Sequence, residues 1–244
     1  MSRAESTDNE RAVVLAEDPG SLVERVERGK VALLRKTYRS GPRTAWRSLG
    51  RWSRARREFE NLRALHDAGV PCARVVEWSE RRVFGCAVSS TFVGEFVEHA
   101  HNLQVLLRDD AGGRAPWRRH RAEQLGELIR RLHDAGYRST TLSPRNVMVR
   151  DAEPSMLLID QPHAFRSRLR PLLRAGADLD LFDAFFSRNR LREWSATQRF
   201  RGLLAYSAGD RALARRTWRR LSGRSPWRFR QLRQWCRMLA TVLS

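Results

Sequence analysis

The chain lacks any apolar run of about 18–20 residues, the length that a membrane-spanning helix needs. Its first residues, Met1 to Glu10, are polar and contain no apolar core of a signal peptide. Cysteine is scarce, and Cys72, Cys86 and Cys236 are widely spaced with no Cys-x-x-Cys pair. These absences argue against a membrane span, a disulfide framework and a zinc site, and they predict a protein of the reducing cytoplasm.

Lysine is almost missing from a strongly basic chain. The 244 residues include 47 lysines and arginines against 27 aspartates and glutamates, a formal net charge of +20, yet only Lys30 and Lys36 are lysines. Such a charge predicts an anionic partner, and nucleic acid, an anionic membrane face and a phosphorylated substrate all fit it. Because arginine dominates so strongly, each retained lysine is a candidate for a specific role.

The first part of the chain predicts a strand-rich lobe. Residues 1–20 form a polar N-terminal segment that ends in the turn sequence Asp18-Pro19-Gly20. The stretch from Leu22 to Tyr38 predicts a β-hairpin that turns near Gly29. A helix is predicted from Ser53 to His66, and three short strands at 74–78, 83–88 and 91–97.

The second part of the chain predicts mainly helices. Residues 100–116 are interpreted as a connecting segment, and Pro116 begins a helix with a regular leucine and isoleucine stripe. A small strand hairpin at 146–149 and 156–159 follows, and the pattern is helical from Asp178 onward, with breaks near Gly209 and Gly223. The order predicts an α+β fold with two lobes, a β-rich N-lobe at 21–99 and a mainly helical C-lobe at 100–244.

The segment from Leu132 to Asp160 has the layout of a kinase catalytic loop. A long helix ends at Gly136, a loop leads to Asn146, and a strand hairpin ends at Asp160. Kinases hold Mg²⁺ against the phosphates with an Asn and an Asp that converge from two such loops. Asn146 and Asp160 are therefore the candidate metal ligands.

Three stretches resemble the lipopolysaccharide core kinase family, the Kdo kinase and WaaP-like branch of the protein-kinase-like superfamily. They are Leu34-Arg35-Lys36-Thr37-Tyr38-Arg39, the helix start Ser53 to Phe59 followed by Gly69-Val70-Pro71, and Leu142-Ser143-Pro144-Arg145-Asn146-Val147. The resemblance covers roughly residues 20–190 at low identity. It implies a two-lobed protein-kinase-like fold.

The resemblance also implies a function and roles for particular residues. The implied activity is ATP-dependent phosphorylation of a sugar in lipopolysaccharide or another lipid-linked glycan, with ATP and Mg²⁺ as cofactors. Lys36 would hold the α- and β-phosphates, Glu58 would pair with Lys36, and Asn146 and Asp160 would hold Mg²⁺. Asp178 is the expected buried carboxylate that supports the catalytic loop. The implied location is cytoplasmic, peripheral to the inner face of the membrane.

The catalytic loop departs from the family pattern at its most important position. The family carries His-Arg-Asp or a close variant before the leucine, whereas this chain has Ser139-Thr140-Thr141, so the position of the catalytic Asp is Thr141. Loss of a positioned base costs about 10²–10⁴ in rate. In addition, Asp160 is followed by Gln161-Pro162 rather than Phe-Gly, and no Gly-x-Gly-x-x-Gly occurs between residues 10 and 38.

Two alternatives follow from this degenerate loop. His163 or Asp134 is a substitute base, or else the protein is a pseudokinase that acts as a nucleotide- or anion-binding module. Thr141 is the feature that favours the pseudokinase. A nucleic-acid binder is the less favoured third hypothesis, because it rests on charge alone.

The C-terminal residues 211–237 contain ten arginines interleaved with Trp218, Trp227, Phe229 and Trp235. This composition suits a membrane–water interface that holds an anionic glycolipid, and it also suits single-stranded nucleic acid. Ordinary amphipathic helices with aromatic side chains facing the core and arginines facing solvent give the same pattern. The sequence leaves these three interpretations open.

Overall fold

A computed structural model describes residues 11–109, 115–140, 142–150, 155–166, 170–186, 194–223 and 229–236. The chain divides into two compact units, the first formed by residues 1–63 and 73–98 and the second by residues 64–72 and 99–244. No helix in these described ranges is both long and apolar enough to cross a membrane.

The first unit is built on an antiparallel five-stranded sheet with the strand order β1-β2-β3-β5-β4. Its strands are β1 Arg11–Asp18, β2 Ser21–Arg28, β3 Val31–Arg39, β4 Val75–Val83 and β5 Cys86–Glu95. The predicted hairpin is present as β2 and β3, and Gly29 makes the turn with a left-handed φ of 63°. The polar N-terminal segment contains β1, an edge strand whose residues are all exposed; residues 1–10 lie outside the described ranges.

The strands after residue 74 differ from the prediction. The two predicted strands at 83–88 and 91–97 are one strand, β5, because Ser89 and Ser90 continue the ladder opposite Arg39 and Tyr38 of β3. The turn lies earlier, at Phe84-Gly85, where both residues have positive φ. Alternation in the sequence did not reveal this turn, since phenylalanine is not a turn-forming residue.

Two helices complete the described part of the first unit. A short helix, α1, spans Pro42–Trp46, and α2 spans Arg54–Asp67, close to its predicted limits. Ser53 begins α2 as an N-cap: its Oγ accepts a hydrogen bond from the backbone N–H of Arg56 at 3.3 Å. The boundary between the two units falls inside α2, after Arg63.

The second unit has a helical core with two small sheets. Its first elements are β6 Ala100–Asn102, α3 Leu103–Asp109, α4 Ala115–Asp134, β7 Tyr137–Ser139, β8 Val147–Arg150, β9 Met156–Leu158 and β10 Ala164–Arg166. The prediction of a connecting segment at 100–116 was wrong for β6 and α3. Leu103 and Leu107 are both buried, and their i, i+4 spacing gives α3 the short apolar face that holds it on the core.

The remaining helices are α5 Arg170–Phe185, α6 Ala196–Tyr206 and α7 Arg211–Ser222, and residues 229–236 are also helical. The helix α4 presents its predicted stripe to the core, and it crosses α6 at Gly126 and Gly202. A Cβ on Gly126 would lie 2.1 Å from the carbonyl oxygen of Gly202, so this crossing requires glycine. The break near Gly209 is present, with φ of 87°.

Candidate active site

The first unit holds a buried ion pair between Lys36 and Glu58. The Nζ of Lys36 lies 2.6 Å from Oε1 of Glu58, and the carboxylate is fully buried. Lys36 lies in the middle of the sheet, where its backbone pairs with Val23 of β2 and Phe92 of β5. The lysine singled out by its scarcity therefore contacts the glutamate that the resemblance assigned to it.

Tyr38 completes this arrangement. Its hydroxyl donates a hydrogen bond to Oε2 of Glu58 at 2.7 Å, so each carboxylate oxygen of Glu58 contacts a different donor from β3. Tyr38 is also buried, and the guanidinium of Arg54 lies over its ring. The sequence showed Tyr38 only as part of a matching motif, and the structure gives it the task of fixing the orientation of the glutamate.

In the second unit the residues Asn146 and Asp160 come together through backbone pairing. Val147 of β8 lies opposite Leu158 of β9, and the carbonyl of Asn146 accepts a hydrogen bond from the N–H of Ile159 at 3.0 Å. Asn146 ends a single 3₁₀ turn, Pro144–Asn146, and is buried. Because Asp160 directly follows Ile159, the two predicted metal ligands lie next to the same end of one small sheet.

Asp160 has an unusual backbone conformation. Its φ is 53°, in the left-handed region that side chains other than those of Asn, Asp and Gly rarely adopt. Such conformations concentrate at functional sites, where the surrounding structure enforces them. The conformation places a partly exposed carboxylate at the end of the β8–β9 hairpin rather than continuing the strand.

The pair of oxygen ligands fits Mg²⁺ in the way that kinases hold it. Mg²⁺ is bound through one or two protein oxygen groups and takes its other ligands from water and phosphate oxygens. Within the residues that the structure describes, no cluster of three or more His, Cys, Asp and Glu side chains forms a dedicated metal cage. Asn146 and Asp160, the predicted metal ligands, carry oxygen donors of the kind that Mg²⁺ prefers.

A buried network supports the beginning of the loop that precedes Asn146. Oδ2 of Asp180 accepts a hydrogen bond from the backbone N–H of Ser139 at 2.9 Å and lies 3.0 Å from Nε2 of His133. Nδ1 of His133 lies 3.0 Å from the hydroxyl of Tyr206. Burial lowers the pKa of His133 well below its usual value, which favours the neutral ring between Asp180 and Tyr206. Burial also raises the pKa of Asp180.

Asp180 thus contacts the start of the loop, a role that the sequence analysis expected of Asp178. Asp178 is buried as well, but its Oδ1 lies 2.8 Å from Nη2 of Arg220 in α7. Residues 178 and 180 point to different sides of a helix, and the sequence Asp-Leu-Asp contains no signal that chooses between them. Only the position of β7 beside α5 decides it.

Three comparisons with known proteins bear on this geometry. A family model described as "Lipopolysaccharide kinase (Kdo/WaaP) family" matches residues 22–206. The chain belongs to this family. The match covers both units and all the candidate residues, Thr141 included.

Relatives that are named as sugar kinases agree with the family. A 3-deoxy-D-manno-octulosonic acid kinase of Actinobacillus succinogenes is 31% identical over 132 residues, 51% of this chain and 52% of the relative. One of Haemophilus influenzae is 30% identical over 97 residues, 39% of this chain and 38% of the relative. The matched region therefore spans about half of the length of the first relative and less than half of the second.

A solved structure, "WaaP in complex with acyl carrier protein", shows the fold. It superposes with a TM-score of 0.65 and 21% identity, and the match covers 94% of this chain and 88% of that one. The predicted α+β, protein-kinase-like fold class is confirmed. The Lys36–Glu58 pair and the Asn146 and Asp160 loops thus occur in a kinase-like fold of the lipopolysaccharide kinase family.

The three candidates for the catalytic base lie in different surroundings. Thr141 lies outside the described residues, between Thr140 and the buried Leu142. Asp134 ends α4 with a side chain that is 68% exposed and 3.7 Å from Arg130, so it is a surface group. His163 lies in the turn between Asp160 and β10, where its carbonyl accepts a weak hydrogen bond from the N–H of Thr140 at 3.5 Å.

The arginine-rich helices of this kinase-family chain turn two of their aromatic side chains inward. Trp218 of α7 packs edge-on against Phe186, and Phe229 stacks on Phe182 with ring centroids 3.8 Å apart. The arginines of α7 other than Arg220 are exposed. For Trp218 and Phe229 the structure favours ordinary amphipathic helices; Trp227 lies outside the described residues, and Trp235 is partly exposed.

Proposed function

We propose that the protein transfers the γ-phosphoryl group of ATP to a sugar hydroxyl of lipopolysaccharide or another lipid-linked glycan, at the cytoplasmic face of a membrane. The observation that carries this proposal is the buried Lys36–Glu58 ion pair. Burying two charges costs desolvation free energy, so such a pair is weak evidence of a role in stability alone. Family membership supports the chemistry, and the names of the relatives make 3-deoxy-D-manno-octulosonic acid the first acceptor to test.

Each candidate residue has a distinct task in this proposal. Lys36 binds the α- and β-phosphates of ATP, while Glu58, fixed by Tyr38, holds the ammonium in place. Asn146 and Asp160 would hold Mg²⁺, and the bound ion would supply neutralisation of the phosphate charge. Asp180 and His133 keep the loop that starts at Ser139 in the conformation that the transfer requires.

Thr141 limits the rate in this proposal rather than preventing the reaction. A threonine hydroxyl does not take up a proton near neutral pH, so it cannot act as the base. The transition state of phosphoryl transfer is loose, and most of the catalysis comes from positioning and electrostatic stabilisation. We therefore expect a slow kinase, about 10²–10⁴ below one with a positioned carboxylate.

The second candidate function is a pseudokinase, a non-enzymatic module that binds the nucleotide or another anion, and Thr141 is the observation that favours it. The same residues would hold Mg·ATP without transfer. The two functions agree on nucleotide binding and differ only in turnover.

Turnover by the wild type decides between them, and the variant Thr141→Asp shows whether the site is otherwise competent. If the fold and the site are those of a kinase, we expect Thr141→Asp to raise the rate of transfer by about 10²-fold or more, because a carboxylate orients and accepts the hydroxyl proton. The measurement is transfer of labelled γ-phosphate from ATP to a lipid acceptor that contains 3-deoxy-D-manno-octulosonic acid. Thr141→Asn, of similar size but without a base, is the matched control.

Each outcome of this experiment has one meaning. Transfer by the wild-type chain, even slow, contradicts the pseudokinase. Nucleotide binding with no transfer by the wild type or by Thr141→Asp contradicts the kinase proposal and leaves the binding module. A rapid wild type that gains nothing from Thr141→Asp shows that another group acts as the base.

A further inference from the structure

A surface of the first unit combines exposed aromatic and aliphatic side chains with arginines. Its members come from residues 42–52 and from the tip of the β4–β5 hairpin: Trp46, Leu49, Phe84, Arg43, Arg47 and Arg51. We call this set the tryptophan–arginine surface. Trp46 is 71% exposed and Phe84 is 95% exposed, values that are rare for such large apolar side chains.

The two segments that form this surface are joined by specific contacts. Leu49 lies against Gly85, with its Cδ1 3.0 Å from the position that a Cβ there would take. The guanidinium of Arg82 donates to the carbonyls of Gly85 at 2.7 Å and of Arg51 at 2.6 Å. The N–H of Ala87 donates to Oγ of Ser48 at 2.7 Å. The exposed side chains are thus presented by a fixed backbone.

Phe84 contradicts the requirements of its own turn. The two-residue turn Phe84-Gly85 joins Val83 to Cys86, and both of its residues have positive φ, 49° and 76°. A turn of this type favours asparagine followed by glycine, and a bulky side chain in the left-handed region is strained. Folding therefore gains nothing from phenylalanine at this position, and strain of this kind points to function.

The charge of the surface is uncompensated. From Arg28 to Arg57 the sequence contains no Asp or Glu. Arg43, Arg47 and Arg51 are exposed, and within the described part of the chain none of them forms an ion pair. The carboxylate of Glu80 instead pairs with Arg82, whose Nε lies 2.6 Å from Oε1 of Glu80. The pKa of Arg57 is lowered by burial and by the charges of Arg54 and Arg51, as expected for concentrated positive charge.

We propose that the tryptophan–arginine surface docks the protein on an anionic lipid bilayer. Arginines attract anionic headgroups, and aromatic side chains are enriched at the boundary between headgroups and acyl chains. Phe84 lies at the tip of the β4–β5 hairpin and is 95% exposed, so its ring is free to enter a bilayer surface. Leu49 offers no face for base stacking. These features favour a bilayer over nucleic acid.

Sedimentation with lipid vesicles tests the docking surface without any nucleotide, so the result is independent of phosphoryl transfer. The wild type is expected to bind vesicles of phosphatidylcholine with phosphatidylglycerol and to bind phosphatidylcholine alone far less. Phe84→Asn is expected to weaken vesicle binding about tenfold or more, because one aromatic side chain is no longer buried in the bilayer. Because Asn-Gly suits the turn, the melting temperature of Phe84→Asn is expected to equal or exceed that of the wild type.

A pair of charge-matched variants separates this surface from net charge. The double variant Arg47→Ala/Arg51→Ala is expected to lose about fivefold in binding per arginine. The control Arg215→Ala/Arg216→Ala removes the same charge from exposed positions of α7 and is expected to change binding little. Equal losses in the two double variants, undiminished binding of Phe84→Asn, or retention of RNA but not of vesicles would each overturn the proposal.

Discussion

Replacing Lys36 with methionine is expected to abolish binding of Mg·ATP and to lower the free energy of unfolding by about 3 kcal/mol. The stability falls because the carboxylate of Glu58 is fully buried and loses the Lys36 ammonium, while it keeps the hydrogen bond from Tyr38 of the same strand. Removing one partner of a buried pair costs about 3–5 kcal/mol. At about 2–4 °C per kcal/mol for a protein of this size, the melting temperature should fall by about 6–12 °C.

The chain supplies a natural control in its other lysine. Lys30 is exposed in the turn between β2 and β3, and within the residues that the structure describes it forms no ion pair. Lys30→Met is expected to leave both the melting temperature and nucleotide binding unchanged. A second control, Lys36→Met/Glu58→Gln, neutralises the orphaned carboxylate and should recover part of the stability without recovering binding. Binding of Mg·ATP by Lys36→Met would contradict the role given to this lysine.

Replacing Asp180 with asparagine is expected to impair both the fold and the catalytic loop. Oδ2 of Asp180 accepts from the N–H of Ser139 and lies beside Nε2 of His133. An amide adds an N–H group, and the buried Oδ1 position where it can lie has no hydrogen-bond partner among the described residues. Leaving a buried polar group without its hydrogen-bond partner costs about 1–3 kcal/mol. We expect the free energy of unfolding to fall by about 2–3 kcal/mol, as measured by urea unfolding.

The control for this prediction is Asp134→Asn, which changes a carboxylate on the exposed end of α4. It should leave the stability unchanged, and it should leave phosphoryl transfer unchanged as well, because Asp134 is a surface group. An Asp180→Asn variant as stable as the wild type would show that the network does not hold the loop. Loss of transfer in Asp134→Asn would restore that residue as a candidate base.

The contact between Lys36 and Glu58 and the hairpin between Asn146 and Asp160 could be predicted from residue types and spacing. Lysine is so rare here that Lys36 stood out, and Asn146 and Asp160 flank a strand hairpin that the sequence predicted. Other features depend on tertiary contacts that no local pattern encodes. Asp180 contacts the loop because of where β7 lies, and Tyr38 contacts Glu58 across 20 residues of sequence.

The sequence analysis did not predict the helix α3 or the turn at Phe84-Gly85. The helix α3 is short, and its two buried leucines were hidden in a stretch that ends in the turn-forming residues Asp110 to Gly113. The turn at Phe84-Gly85 was missed because phenylalanine there violates the usual preference of the turn. That violation is the observation on which the docking surface depends.

The measurement that tests the central claim most directly is the thermal stability of the wild type and of Asp160→Asn with and without Mg·ATP. Asparagine tolerates the left-handed φ of 53° at this position, so the variant should fold. At about 100 times Kd, a ligand adds about 2.7 kcal/mol to the stability. This corresponds to roughly 5–10 °C for a protein of this size. We predict a shift of that size for the wild type that requires Mg²⁺ and is absent from Asp160→Asn. No shift in the wild type, or an equal shift in Asp160→Asn, would contradict the nucleotide site.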